Sequence, residues 1–310
     1  MLLTKLIAYY LTHSVAILTD ALEGIVNVVA GFFGLYSLYL SSKPADADHP
    51  YGHGKIEFVS AAVEGTMIAV AAILILIEAV RALLSPTPIQ QLDTGIVLIS
   101  VTAIVNFIVG SISVKTGRKN HSLALEASGR HLLSDTYTTV GILIGLILIY
   151  FTGVLWLDSA VAIGFSFVIL FTAFKIIRGS LAGIMDERDK DLLNRVIAAL
   201  ENNRSKNWID LHNLRIIRYG SVFHVDCHLT VPWYLNVHEA HGEVEMLRNI
   251  VGKEFGHSVE FFVHSDGCLP VACPICIKDD CPVRYHSFKR RIRWTVRNTE
   301  QNEKHQFDTI

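Results

Sequence analysis

Long apolar runs fill the first 185 positions of the chain and then give way to shorter patterns broken by charges. A helix needs about 20 mostly apolar residues to cross a bilayer. Five runs reach that length, at about 15–40, 57–84, 94–114, 122–151 and 155–183. A further apolar run, Met1 to Thr12 (MLLTKLIAYYLT), is too short to span alone. It has neither the basic leading region nor the small-residue cleavage site of a secretion signal, and the next span follows at once. It reads as the second half of a first transmembrane helix, shortened either by a misassigned start or by an unusually short helix. The expectation is therefore a bundle of six transmembrane helices, the first one truncated.

From about Asp186 the periodicity changes. Asp186 to Asn203 (DERDKDLLNRVIAALENN) spaces its leucines and isoleucine as a helix does. Asn213 to Arg218 and Phe223 to Val231 alternate as strands do, and Tyr219, Gly220 and Ser221 form a turn signal between them. An amphipathic helix over Val237 to Phe255 and a strand over Val259 to Val263 follow. The order αββαβ predicts a small α+β, ferredoxin-like domain with helices on one face of a short sheet. The chain thus divides into a membrane part (1–185), a small α+β domain (186–267) and a cysteine-rich tail with a basic end (268–310).

Basic residues set the orientation. Leu83 to Asp93 and Thr152 to Leu157 contain no Lys or Arg, whereas Lys115 to Arg130 carries Lys115, Arg118, Lys119 and Arg130, and the region after Arg188 is rich in both. The positive-inside rule places the second group, the 41–56 loop and both termini in the cytoplasm. Composition narrows the function. The 310 residues are 51% hydrophobic and only 18% charged, with net charge −2, which argues against a nucleic-acid partner or a polybasic anchor. The sequence offers neither a nucleophile–base arrangement nor a phosphate loop, so the reading is a non-enzyme. The 14 His residues matter through their placement.

Ionisable groups within spans are costly and mark sites or pathways. The second span holds Asp20, Glu23 and Asn27, and the fifth holds His131 and Asp135. Glu23 with Asn27, and His131 with Asp135, are each four apart and share a helix face. Two helices could so supply four ligands, the number a tetrahedral ion takes. Asp20 and Asn106 read instead as groups that hydrogen-bond a neighbouring helix.

These residues carry a resemblance. His13–Asn27 (HSVAILTDALEGIVN) resembles the second-span motif of the cation diffusion facilitator family. His131–Asp135 (HLLSD) resembles its fifth-span motif, and Pro44–Lys55 (PADADHPYGHGK) its loop between spans two and three. The resemblance runs from the start of the chain to about Asp266 and implies a divalent-metal transporter. That transporter would be a homodimer in the plasma (inner) membrane, working by alternating access and exchanging metal for protons. The family's second-span pair is usually Asp or His followed by Asp. Here Glu23 and Asn27 stand in that place, so the site has one negative charge fewer than an all-acid version. With one imidazole and three oxygen donors, Zn2+ is the first reading and Fe2+ or Mn2+ the second. A membrane-bound metal sensor without transport, or a channel, would keep the same ligands, but protonatable groups in the pathway favour a coupled carrier.

Further candidates lie outside the spans. Asp46, His49 and His53 could bind an ion at the membrane surface or form a solvated polar loop, and the resemblance favours the site. Spacing alone would make His212, His228, His241, His264 and Asp266 scattered surface groups. The resemblance matches them to a pair of ions at a dimer interface, with Ser265 at a position that contributes in some relatives. His264 and Asp266 are expected just past the last strand, and His224, His238 and His257 at the surface. Lys55 and Asp186 match a charged interlock that holds protomers together in relatives. In the tail, Cys268, Cys273, Cys276 and Cys281 give C-x4-C-x2-C-x4-C among Pro270, Pro274 and Pro282. Four such thiols suit structural Zn2+ or an iron–sulfur cluster, zinc ahead, with reduced and unligated thiols as the alternative. Cys227 reads as a core residue. Val283 to Asn302 is basic, permits a helix, and is expected against the domain or against anionic lipid.

Overall fold

The computed structural model of the chain describes residues 1–85, 90–119, 123–219, 222–255 and 259–307. Six helices form the apolar part: α1 (Leu2–Thr12), α2 (Val15–Ser41), α3 (Ile56–Leu84), α4 (Leu92–Lys119), α5 (Leu123–Thr152) and α6 (Trp156–Ile184). Helices α2 to α6 are long and apolar enough to cross a membrane, and α1 is the short one. Their ends fall close to the hydropathy runs. The largest difference is at α4, which continues to Lys119 through basic residues that a purely apolar window leaves out. Large side chains such as Phe32, Phe151 and Phe174 stand more than half exposed along these helices. A lipid-facing surface carries such side chains and a water-facing one rarely does.

Helix α1 ends because His13 takes the left-handed conformation (φ 54°), its N–H bonded to Tyr9 O. Ser14 then caps α2, accepting the Ile17 N–H at 3.2 Å. Asp158, in the first turn of α6, accepts the Ser14 hydroxyl at 2.5 Å and the N–H groups of Val15 (2.7 Å) and Ala16 (3.4 Å). With no water in an apolar medium, the open donors of a helix start need such a partner from a neighbour. Elsewhere α4 and α5 pack at close quarters. A Cβ on Gly129 would lie 2.6 Å from Val114 N and 2.8 Å from Gly110 O, the small-residue contact that membrane helices rely on.

The second part contains α7 (Lys190–Asn202), β1 (Asp210–Tyr219), β2 (Val222–Val231), α8 (Val237–Phe255), β3 (Val259–Gly267), a 3-10 turn (Pro270–Ile275) and α9 (Val296–Thr299). The strand order is β1-β2-β3, antiparallel then parallel. This is the αββαβ arrangement that the periodicity predicts. Leu193, Val196 and Leu200 of α7 and Leu247 and Val251 of α8 pack on Leu211, Val225 and Leu229 of the sheet. Cys227 joins that core, 2% exposed. By its own internal contacts the 38–58 segment groups with this part and not with the bundle.

Four expectations need correction. Asp186 does not begin α7: it is in the left-handed region (φ 56°), and Asp189 caps α7 by accepting from Asp191 N (3.1 Å) and Leu192 N (3.0 Å). Strand β1 starts at Asp210, three residues early, because Asn213 (φ 51°) absorbs a bulge that breaks the alternation between His212 and Arg215. Strand β3 runs on to Gly267, so His264 and Asp266 lie on it. Their polarity hid a ladder that pairs Leu229 with Ser265 and Thr230 with Asp266. His224 is buried, not a surface group, because Tyr51 and Tyr219 cover it with ring centroids 5.6 and 4.9 Å away, and it faces Glu260 at 3.2 Å. The turn at Gly220 and Ser221, and His257, lie outside the described residues.

Candidate metal-binding sites

The helical spacing of the intramembrane groups brings them to one place. Glu23 and Asn27 of α2 and His131 and Asp135 of α5 line a cavity of about 320 Å³, with Glu64 of α3 and apolar residues of α6 closing it. Asn27 donates its amide to Asp135 Oδ2 at 3.2 Å, which leaves the Asn27 carbonyl oxygen free to ligate. His131 Nε2 lies 3.9 Å from Asp135 Oδ1. Glu23 Oε2 is buried with no hydrogen-bond partner among the described residues. Such a group costs about 1–3 kcal/mol, more when charged, unless a proton or cation joins it.

A buried network stands directly behind these ligands. Lys5 Nζ of α1 pairs with Asp20 Oδ1 at 2.8 Å, and the Thr139 hydroxyl meets both Asp20 Oδ1 (3.0 Å) and Asp135 O (2.8 Å). Asp20 is thus the interhelical partner that the sequence suggests, and Asn106 is buried too. Sequence reasoning missed Lys5, Glu64 and Asp158. The signal for each was an ionisable residue inside an apolar helix, the same rule that found Glu23.

The loop before α3 gathers Asp46, His49 and His53, whose ligand atoms lie within 4.8 Å of one another. The backbone N–H of His49 bonds Asp46 Oδ1 at 2.7 Å and holds that carboxyl below the usual carboxylate range. His49 Nδ1 and His53 Nε2 approach it at 3.2 and 3.4 Å. Lys55 and Asp186 also meet, at 2.8 Å, with the ammonium over the Tyr219 ring. That contact is made within one chain.

In the sheet, register does what spacing could not. His212 pairs with His228 across β1 and β2, and His228 with His264 across β2 and β3. The three imidazoles form a row with centroids 5.1 and 4.7 Å apart. Asp266, two residues after His264, shares their face. Its carboxylate lies 3.6 Å from His212 Nε2, 3.2 Å from His228 Nδ1 and 3.7 Å from His264 Nε2. Asp210 Oδ2 faces the other nitrogen, His212 Nδ1, at 3.2 Å. A carboxylate near that nitrogen is a common second layer of metal sites, with Nε2 turned to Asp266. His305 of the tail closes on Asp210 from the far side, and Lys304 Nζ reaches Asp266 Oδ1 at 3.0 Å. Burial opposes the charge on Asp266, but the Lys304 ammonium outweighs it and holds the carboxyl below its usual range. His241 is not in the row. It sits exposed on α8, 3.8 Å from Glu245. Ser265 alternates to the opposite face from His264 and Asp266. Asp210, Lys304 and His305 gave no sequence signal, since their roles come from the bulge and from the path of the tail.

The tail lies against the domain. Trp294 enters the core beside Leu200 and Trp208, and Arg204 stacks on its ring at 4.0 Å. The same guanidinium donates to the carbonyls of Trp208, Ile209 and Ile292 at 2.6–3.0 Å. Among the described residues of the basic segment only Val296–Thr299 is helical. The four tail cysteines line one small cavity of about 30 Å³.

Comparison with known proteins agrees with this architecture. The cation efflux transmembrane domain family matches residues 1–185, and the cation efflux protein cytoplasmic domain family matches residues 188–268. An uncharacterized transporter of Synechocystis sp. is 34% identical over 249 residues, covering 80% of each chain. The cation-efflux pump FieF of Yersinia pestis, and likewise that of Yersinia pseudotuberculosis, is 27% identical over 274 residues, covering 87% of this chain and 89% of the pump. With its bundle and its cytoplasmic domain both matched, the chain belongs to the cation efflux, or cation diffusion facilitator, family of divalent-metal transporters.

Proposed function

We propose that the protein exports zinc in exchange for protons through Glu23, Asn27, His131 and Asp135, as a homodimer in the plasma (inner) membrane with both termini in the cytoplasm. One observation carries this reading: four donors from two helices line a single membrane cavity in which Glu23 Oε2 is buried and unpaired among the described residues. A divalent ion entering the bilayer must exchange its water shell for ligands. Deprotonated Glu23 and Asp135, neutral His131 and the Asn27 carbonyl supply four, the number that suits tetrahedral zinc. The same acids and imidazole bind protons when the metal leaves, so ion and protons compete for one set of groups. Alternating access then turns the competition into antiport. The oxygen-rich donor set keeps ferrous iron and manganese as the second reading of the cargo. The loop cluster at Asp46, His49 and His53 and the row at His212, His228, His264 and Asp266 serve as cytoplasmic metal sites that report supply, with His241 at the dimer interface.

The test is metal-stimulated proton flux in proteoliposomes, with zinc, ferrous iron and manganese compared. Flux is expected with zinc and is expected to vanish in Asp135→Ala. Transport that ignores the proton gradient would remove the antiport. Absence of flux with metal binding intact would turn the reading to a membrane-bound sensor.

A further inference from the structure

The cytoplasmic-domain match ends at residue 268, and a separate cluster of ligands begins there. Cys268 leaves β3 with its N–H bonded to Val231 O at 2.9 Å. Cys273 lies on the 3-10 turn and Cys276 just after it, the Cys276 N–H meeting Cys273 O at 3.3 Å. Cys281 follows the acidic pair Asp279 and Asp280. All four line the same cavity of about 30 Å³, walled by Ile209, Pro232 and Trp233. All four are free thiols.

Burial favours the neutral thiols of Cys268 and Cys276 and raises their pKa, so thiolates there need a cation beside them. Arg284 ties the loop together through the carbonyls of Cys273 (3.1 Å), Cys276 (3.2 Å) and Lys278. Lys278 and Arg284 both line the cavity. Four thiolates around one divalent ion carry net charge −2, and Arg284 offsets part of it, Lys278 being paired with Asp280 at 3.2 Å.

We propose that Cys268, Cys273, Cys276 and Cys281 bind one zinc ion, a structural staple that fastens the tail to the αββαβ domain. Spacing favours zinc over a cluster, because C-x4-C-x2-C-x4-C is unlike the common cluster runs. The sulfurs are not within the mutual 4.8 Å that groups both histidine sites. Zinc–sulfur bonds of about 2.3 Å put ligands about 3.8 Å apart, so metal draws the loop inward. The bond change is simple: each thiol loses its proton to solvent as its sulfur binds the ion.

The experiment uses the full chain in detergent, stripped with a chelator under reducing conditions. On adding zinc, reactivity toward a disulfide reagent should fall by about four thiols per chain, with buried Cys227 slow throughout. Cobalt in place of zinc should give the intense visible absorption of a tetrahedral all-sulfur site. That spectrum should persist in Asp135→Ala and disappear in Cys276→Ser, so its fate is independent of the transport reading. Equal thiol reactivity with and without zinc would overturn the proposal. So would a cobalt spectrum of nitrogen and oxygen ligands, or iron with acid-labile sulfide in protein purified without oxygen. Should Cys276→Ser not fold, the wild-type thiol count and spectrum still decide.

Discussion

Replacing Lys5 with methionine keeps the apolar stem and removes one charge from the most buried ion pair of the helical bundle. Lys5 and Asp20 are 2.8 Å apart and their side chains are 4% and 1% exposed. Breaking a buried pair by deleting one partner costs about 3–5 kcal/mol, because the remaining charge is left in a medium that cannot solvate it. In Lys5→Met, Asp20 keeps the Thr139 hydroxyl at 3.0 Å. Asp20→Asn alone strands the ammonium in the same way. The double variant holds no uncompensated charge, and its expected loss is about 1–2 kcal/mol, the cost of a poorly satisfied amide. The two single losses together therefore exceed the double loss by at least about 4 kcal/mol, a coupling that a double-mutant cycle resolves. The assay is unfolding by a denaturing detergent in mixed micelles, followed by circular dichroism. Single effects that simply add in the double variant would refute the reasoning. The pair matters beyond stability, since Asp20 sits one turn before Glu23 and Thr139 one turn after Asp135.

Other outcomes follow from the same geometry. Gly129→Ala places a Cβ against backbone atoms of α4 and should cost about 1–3 kcal/mol or more in the same assay, whereas Gly164→Ala, with nothing within 4 Å, should be neutral. Asp210→Asn weakens the partner of His212 Nδ1 and should lower zinc affinity at the sheet about 10–100-fold, read by calorimetry on the full chain. Burial opposes a charge on His305, but the hydrogen bond and charge of Asp210 outweigh it and raise its pKa. Burial likewise opposes ionisation of Asp210, and bonds to His212 and His305 hold its carboxyl well below the usual range. The His305 contribution is full below the ordinary histidine value of about 6.5 and is lost as pH rises through the raised value. The Asp210 contribution is full above about pH 4 and is lost only as pH falls through the depressed value. The tail should therefore dock most firmly at mildly acidic pH and exchange amide hydrogens faster under alkaline conditions, a dependence that His305→Gln should flatten.

Residues on one helix face were legible in the sequence because helical spacing is fixed and the surroundings are uniformly apolar. Glu23 with Asn27 and His131 with Asp135 needed no more than that, although their convergence on one cavity is a tertiary fact. Pairings between distant segments were not legible. Asp158 lies 144 residues from Ser14, and their contact depends on how two helices are rotated. The histidine row was hidden for a related reason. His264 and Asp266 interrupt an apolar strand, so local pattern ends β3 early, and only the ladder with β2 extends it. His224 was misread as exposed because the rings that cover it come from the loop before α3 and from the end of β1.

The carboxylate of Asp158 acts as a pin joint at one end of α2. Holding the Ser14 hydroxyl and two successive N–H groups, it resists sliding of α2 along its axis past α6. At 1.5 Å per residue, Glu23 is about 12 Å and Asn27 about 18 Å along the lever from Val15. A swing of about 10° carries them about 2 Å and 3 Å, comparable to a whole metal–oxygen bond of about 2.0–2.2 Å. Were α2 to turn about that end, Asn27, farther from the pin, would move most and lose contact before Glu23.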